Sequence, residues 1–187
     1  MTQQESTSAL SRPLLAAVGL AVLLAIGVAT LGLVLGTGNQ TEDVPGRTGP
    51  LALVSIDAPD AASQPCTSLI EKLPVGLPSG KDMLPRREIA SPAPPAAVAW
   101  GDAKHDPVVL RCGLPRPAEL TPTSQLRVIS DVQWLQLPGS GSSTWVIVDR
   151  AAYVALTVPD DAGTGPLQDI STTVRDLLPK QPVKTTP

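Results

Sequence analysis

An uncharged apolar run, PLLAAVGLAVLLAIGVATLGLVL from Pro13 to Leu35, constrains this chain more than any other feature. At a rise of about 1.5 Å per residue, a helix of this length crosses a hydrocarbon core of about 30 Å. A cleaved secretory signal is the rival reading, but its apolar core is roughly 7–15 residues long and ends in a small-x-small site. The run here is longer, and its exit through Gly36, Thr37, Gly38, Asn39 and Gln40 offers no good site. A lipid-modified anchor would need a cysteine directly after the run, and the first cysteine is Cys66. The expectation is a retained, single-pass transmembrane helix over 13–35 in contact with the lipid bilayer. Arg12 flanks one end and Glu42 and Asp43 the other, so the positive-inside bias places residues 1–12 in the cytoplasm and the rest outside it.

Beyond the run the chain reads as water-soluble. The whole chain's fourteen basic and seventeen acidic residues leave a net charge of -3, and since only the charges of Glu5 and Arg12 precede the run, the same net charge falls beyond it. The basic residues are scattered, with Arg86-Arg87 the only adjacent pair. No basic patch of the kind that binds nucleic acid is present in that pattern, so nucleic acid is excluded as a partner. The 21 prolines and 15 glycines fall below the share of roughly a quarter that marks low-complexity chains, so the remainder is a loop-rich globular domain. Residues 36–50, with turn signals at Pro45-Gly46 and Gly49-Pro50, read as a flexible stalk. An extracytoplasmic domain is expected over 51–180, and a disordered tail over 181–187.

Inside that domain, Leu51 to Asp57 is bounded by turn residues and is the expected first strand. Ser63 can cap a helix with Pro65 in its first turn, and Cys66, Leu69, Ile70 and Leu73 share one helical face before Pro74 ends it. Arg86 to Ala90 is an expected edge strand. Val108, Leu110 and Cys112 alternate with Val109 and Arg111, a strand whose even positions face inward. Leu126, Val128, Val132 and Trp134 continue that parity, although Ser130-Asp131 would equally serve as a hairpin turn. Thr144 to Val148 is apolar on both faces, as in a central strand, and Val154, Leu156 and Val158 line one face of the next. Pro166 opens a second helix with Leu167, Ile170, Val174, Leu177 and Leu178 in one stripe, stopped at Pro179. Two amphipathic helices and five or six strands predict an α+β fold, a mostly antiparallel sheet covered by two helices after the transmembrane helix.

Cys66 and Cys112 both point toward the helix-sheet interface, and outside the cytoplasm such a pair is oxidised. Redox-active pairs usually stand close together, as in Cys-x-x-Cys, so a structural disulfide is expected here.

Catalytic constellations are scarce. His105 is the sole histidine, which removes paired-histidine metal sites, and it lies beside Asp106 in a polar stretch that reads as an exposed loop. Gly76 to Asp82 superficially resembles a phosphate-binding loop, but is one residue short and has aspartate where the hydroxyl belongs, so it reads as a turn. Gly139 to Ser143 holds hydroxyls without the Gly-x-Ser-x-Gly arrangement. No catalytic residue, metal or cofactor is assigned. Trp134 and Trp145 are expected in the core. Trp100, followed by Gly101-Asp102, either lines a ligand groove or simply packs. Arg111, on the outer face of its strand, either holds an anion bidentately or makes a structural salt bridge. Trp100, Asp102 and Arg111 are therefore the candidate ligand or partner contacts.

The stretch Ala99-Trp100-Gly101-Asp102, then Pro107 to Pro117 with its Arg111-Cys112-Gly113 centre, then Leu120 to Ser124, resembles an actinobacterial family of membrane proteins catalogued as domain of unknown function 3515. The resemblance covers most of the chain, including the apolar run and a cysteine near Cys66, and implies a cell-envelope protein with no catalytic residues to carry over. The functional expectation is an uncharacterised, membrane-anchored, non-enzymatic binding or interaction domain, with another envelope protein as a possible partner. The alternatives are an envelope enzyme without a histidine-based site, or a small-ligand or lipid carrier, which would show an apolar cavity.

Overall fold

The computed structural model describes residues 49–185. The expected cytoplasmic segment 1–12, the membrane span 13–35, the stalk as far as residue 48 and residues 186–187 lie outside the described residues. Among those described, no helix is long and apolar enough to cross a membrane.

The chain runs α1 (Gln64–Lys72), β1 (Gly76–Ser79), β2 (Asp82–Arg87), β3 (Ala97–Trp100), β4 (Val108–Leu114), β5 (Leu126–Ile129), β6 (Val132–Pro138), β7 (Ser142–Ile147), β8 (Tyr153–Pro159), a 3-10 turn (Asp160–Ala162) and α2 (Gly165–Leu177). The strands form one sheet in the order β1-β2-β3-β4-β8-β7-β6-β5, with every neighbouring pair antiparallel. The α+β reading, with an antiparallel sheet and two helices, therefore holds, but with eight strands. The extra strands come from hairpins too short to show a hydrophobic period. The segment that resembled a phosphate loop is one of these turns: Ser79 pairs with Asp82 around Gly80, whose φ of 59° suits glycine.

The expected first strand does not form. Leu51 makes a single parallel bridge to Ile89, and residues 52–58 then run without regular structure. The segment they would pair with continues into Pro92, Pro94 and Pro95, which lack backbone N–H groups, so the ladder has nothing to extend along.

The sheet has two different faces. Its inner face carries the main core: Val108, Leu110 and Cys112 of β4, Val132 and Trp134 of β6, and Val154, Leu156 and Val158 of β8, packed with Cys66 and Leu69 of α1, Leu73 just after it, and Leu167, Ile170 and Val174 of α2. Leu177, placed in the α2 stripe by sequence, is partly exposed, while Leu178 beyond the helix end is buried. Helix α2 packs against β1 at one edge of the sheet and against β5 and β6 at the other, so the curled sheet folds around it. Trp134 donates from Nε1 to Ser171 Oγ of α2 at 2.9 Å in the buried interior, which satisfies both polar groups.

At Ser130-Asp131 the chain makes the hairpin turn, with φ of 46° and 63°. Ile129 pairs with Val132 and Leu126 with Leu135. Residues paired across a two-residue turn share a face, so the even positions of β5 lie with the odd positions of β6. The continuous parity expected from Leu126 to Trp134 is thereby broken: Leu126 joins the outer-face cluster and Val128 is 65% exposed.

Cys66 and Cys112 form the expected disulfide, with both residues fully buried. Next to it the β4–β8 register shifts between Cys112 and Leu114. Gly113 occupies the extra position with φ 85°, and a Cβ there would overlap the backbone of Asp60 and Ala61. Only glycine allows this approach, which brings the turn before α1 onto β4; Asp60 N donates to Gly113 O at 3.1 Å.

Residues 181–185, expected as part of a disordered tail, make specific contacts. Gln181 N donates to Asp149 O at 2.9 Å, Val183 packs on the outer-face cluster, and Arg116 Nη1 lies 3.4 Å from Thr185 O. Asp149 and Arg150, both buried, form an ion pair at 2.8 Å in the β7–β8 connection, and Arg150 Nη2 donates to Asp131 O at 3.0 Å, tying this loop to the β5–β6 turn.

The disulfide closes a loop with a sequence separation of 46, for which chain entropy sets an upper contribution of about 4 kcal/mol. Replacing both cysteines with serine should lower the unfolding free energy by about 2–4 kcal/mol, read from urea melts. Adding a reductant to the parent protein should give the same loss.

Candidate binding groove

Of the three candidate contacts, Trp100 is fully buried in β3 and cannot touch a ligand directly. Its Nε1 donates to Pro74 O at 2.9 Å. Arg86 lies over the ring with its guanidinium carbon 4.7 Å from the centroid, and donates to Pro74 O at 2.9 Å and Leu73 O at 3.1 Å. Together the two side chains bind the carbonyls at the C-terminal end of α1, where a cation also complements the helix dipole. Sequence alone left open whether this tryptophan packs or binds, and the geometry makes it a packing residue.

Asp102 is engaged by its own loop. Its Oδ1 accepts from Lys104 N at 2.8 Å and His105 N at 2.9 Å, and lies 3.0 Å from His105 Nδ1. Burial pushes the Asp102 pKa up, but the two backbone N–H groups and the imidazole outweigh that, and the carboxyl lies below its ordinary 3.8. His105, read from sequence as exposed, is half-buried, with Nε2 3.4 Å from Asp82 Oδ2. It therefore ties the β3–β4 loop to β2. Among the described residues, no group of histidine, cysteine or acidic side chains is placed to hold a metal ion. The adjoining depression of about 330 Å³ is lined by Arg86 and Arg87. Arg86 is held as described, and Arg87 donates to Gly49 O at 3.2 and 2.9 Å, so these cations already have partners.

Arg111 stands apart on the outer face. The registers place it in a row across the sheet: Arg111 beside Ala155, Ala155 beside Val146, Val146 beside Leu135. The next row runs Thr157, Thr144, Leu137, with the two threonine hydroxyls 3.1 Å apart and bonded to each other. Leu120 from the β4–β5 connection and Val183 near the C-terminus cover the Leu135, Val146, Val148 end of this face. The remainder is an open groove of about 390 Å³, floored by the two rows and lined as well by Pro115, Pro117, Ile56 and Asp57. Its volume lies toward the lower end of the roughly 300–1,000 Å³ range of small-molecule sites.

The Arg111 side chain forms no hydrogen bond or ion pair among the described residues. Burial alone perturbs it, pulling its pKa down from the ordinary arginine value. Arginine keeps its charge in proteins, so the structure holds a partly desolvated cation with no counterion at an apolar surface. The structural salt bridge weighed from sequence is absent among the described residues.

Residues 18–183 match the family model described as a protein of unknown function, DUF3515. The chain belongs to the DUF3515 family. Neither a curated protein nor a solved structure matches it. The DUF3515 match takes in all the described elements, and hence the lining and the floor of the groove.

Sequence reasoning found Arg111 in this DUF3515 domain but missed the rest of the groove. The available signal was Thr144 to Val148, apolar on both faces. A strand of that kind in a sheet with helices on one side only must be covered on the other by chain, partner or ligand.

Two outcomes check these assignments. Trp100→Ala should cost about 3–5 kcal/mol of stability, measured by urea unfolding, as expected for a fully buried ring. The Asp102 carboxyl should titrate below 3.8 when followed by carbon-detected NMR, and move upward in His105→Ala. Because its folded pKa is depressed, the stability it contributes is fully present above the unfolded value and is lost as pH falls through the folded one.

Proposed function

We propose that this protein is a membrane-anchored, non-enzymatic binding module of the cell envelope, with its N-terminus in the cytoplasm and the domain over 51–180 outside it. The charge-free run at 13–35 supports the anchor, and the family match begins inside that run. The Cys66–Cys112 disulfide favours an oxidising compartment for the domain.

The observation that carries the binding role is the open apolar groove with the unpartnered guanidinium of Arg111 beside it. Apolar surface left in water and a cation left without a counterion are both relieved by an occupant. The loop around Asp102 and His105 is internally satisfied, which favours a structural role for these two residues over acid-base chemistry.

A photocrosslinking residue placed at position 137 in the groove of the full-length chain, and at position 83 on exposed β2, tests this in cells. The expected result is an adduct formed from 137 and not from 83, on protein that stays with membranes through alkaline extraction and is cut by protease added from outside. Equal adducts from both positions would remove the binding role, and release by alkali would remove the anchor.

A further inference from the structure

Resting on the groove as the binding surface, we infer that its occupant is a single-chain amphiphile with a carboxylate head, lying along the apolar floor with the carboxylate on Arg111. The floor is the face of a sheet whose main-chain groups are already paired between β4 and β8, β8 and β7, and β7 and β6. An extended peptide carries an N–H and a C=O at every residue, and the sheet face that floors the groove has no free backbone groups to meet them; strand addition needs a sheet edge. The two threonine hydroxyls on the floor are bonded to each other. Along the floor the occupant meets apolar contact from Leu137, Val146, Pro115 and Pro117 and few groups that could hydrogen-bond it, which suits an acyl chain.

The charge of the head follows from the charges at the groove. Arg111 offers one planar fork, which matches a carboxylate bidentately. Asp57, which also lines the groove, is exposed and makes no ion pair with Arg111, so it adds a negative charge near the site. One cation and one nearby anion suit a monoanionic head and disfavour a phosphate monoester dianion, which would need more positive charge than the groove supplies.

The test uses the full-length chain in nanodiscs of zwitterionic phosphatidylcholine, labelled with a diazirine-bearing fatty acid and mapped by mass spectrometry after tryptic digestion. Labelling is expected on the peptide from Val128 to Arg150, which carries Leu137, Thr144 and Val146. Dodecanoate should compete at least about tenfold better than dodecanol, as a charge-assisted hydrogen bond implies, and better than dodecyl phosphate. Arg111→Gln should erase the preference over dodecanol, and Asp57→Asn should narrow the gap between dodecanoate and dodecyl phosphate. Arg111→Lys, which keeps the charge without the fork, should retain part of the preference and carries the comparison if Arg111→Gln melts early.

Labelling spread over other peptides, or equal competition by dodecanol and dodecanoate, would overturn the inference. Dodecyl phosphate competing best would overturn the carboxylate assignment. If the adduct from position 137 persists in cells while these preferences are missing, the binding role stands and this ligand class falls; loss of both removes both.

Discussion

Everything on the inner side of this domain is referred to one covalent and steric junction in β4. Cys112 ties α1 to the sheet, and Gly113 beside it lets the Asp60-Ala61 turn rest directly on the strand. The extra residue at the bulge shifts the β4–β8 register just where the chain leaves the sheet. That departure sends Pro115 and Pro117 across the outer face as part of the groove's lining. A single irregularity thus sets the position of a helix on one face and the boundary of an open surface on the other, which is how bulges commonly re-aim a strand near a functional site.

Much of the fold was legible because its periodic segments are strong. The α1 face from Cys66 to Leu73, the inward parity of Val108, Leu110 and Cys112, and the α2 stripe all reflect burial on one side of a regular element, and the disulfide followed from two of them. The short hairpins were poorly legible, since β1 and β5 have four residues each and carry too little pattern to count. Of the two readings left open at Ser130-Asp131, the hairpin is the one that forms, and a two-residue turn exchanges odd and even positions between the strands it joins. Leu51 to Asp57 failed because a strand needs a partner able to donate, and the partner here turns into prolines.

The candidate site divided along the same line. Arg111 was legible because strand alternation decides which way a side chain points, but its lack of an ion pair depends on where residues distant in sequence, such as Asp57, are placed around it, which no local pattern encodes. Trp100 was ambiguous because a tryptophan next to glycine has the same sequence whether it stacks under an arginine or faces solvent. The contact that decides it, with Arg86 and the carbonyl of Pro74, joins residues far apart in the chain.

Helix α2 touches both ends of the sheet, β1 near the start of the domain and β5 and β6 in its middle, yet it is the last element to be made. Until it is present, the apolar rows of β4, β6 and β8 lack the contacts of Leu167, Ile170 and Val174 and are covered only in part, by α1. The chain therefore cannot complete its core progressively as it emerges, because the final cooperative step waits for the last helix to arrive. Cys66 and Cys112, by contrast, are both available well before that point, so oxidation can hold α1 near β4 while the rest of the sheet is still incomplete. A truncation that removes only the last few turns of chain would then abolish far more structure than its length suggests.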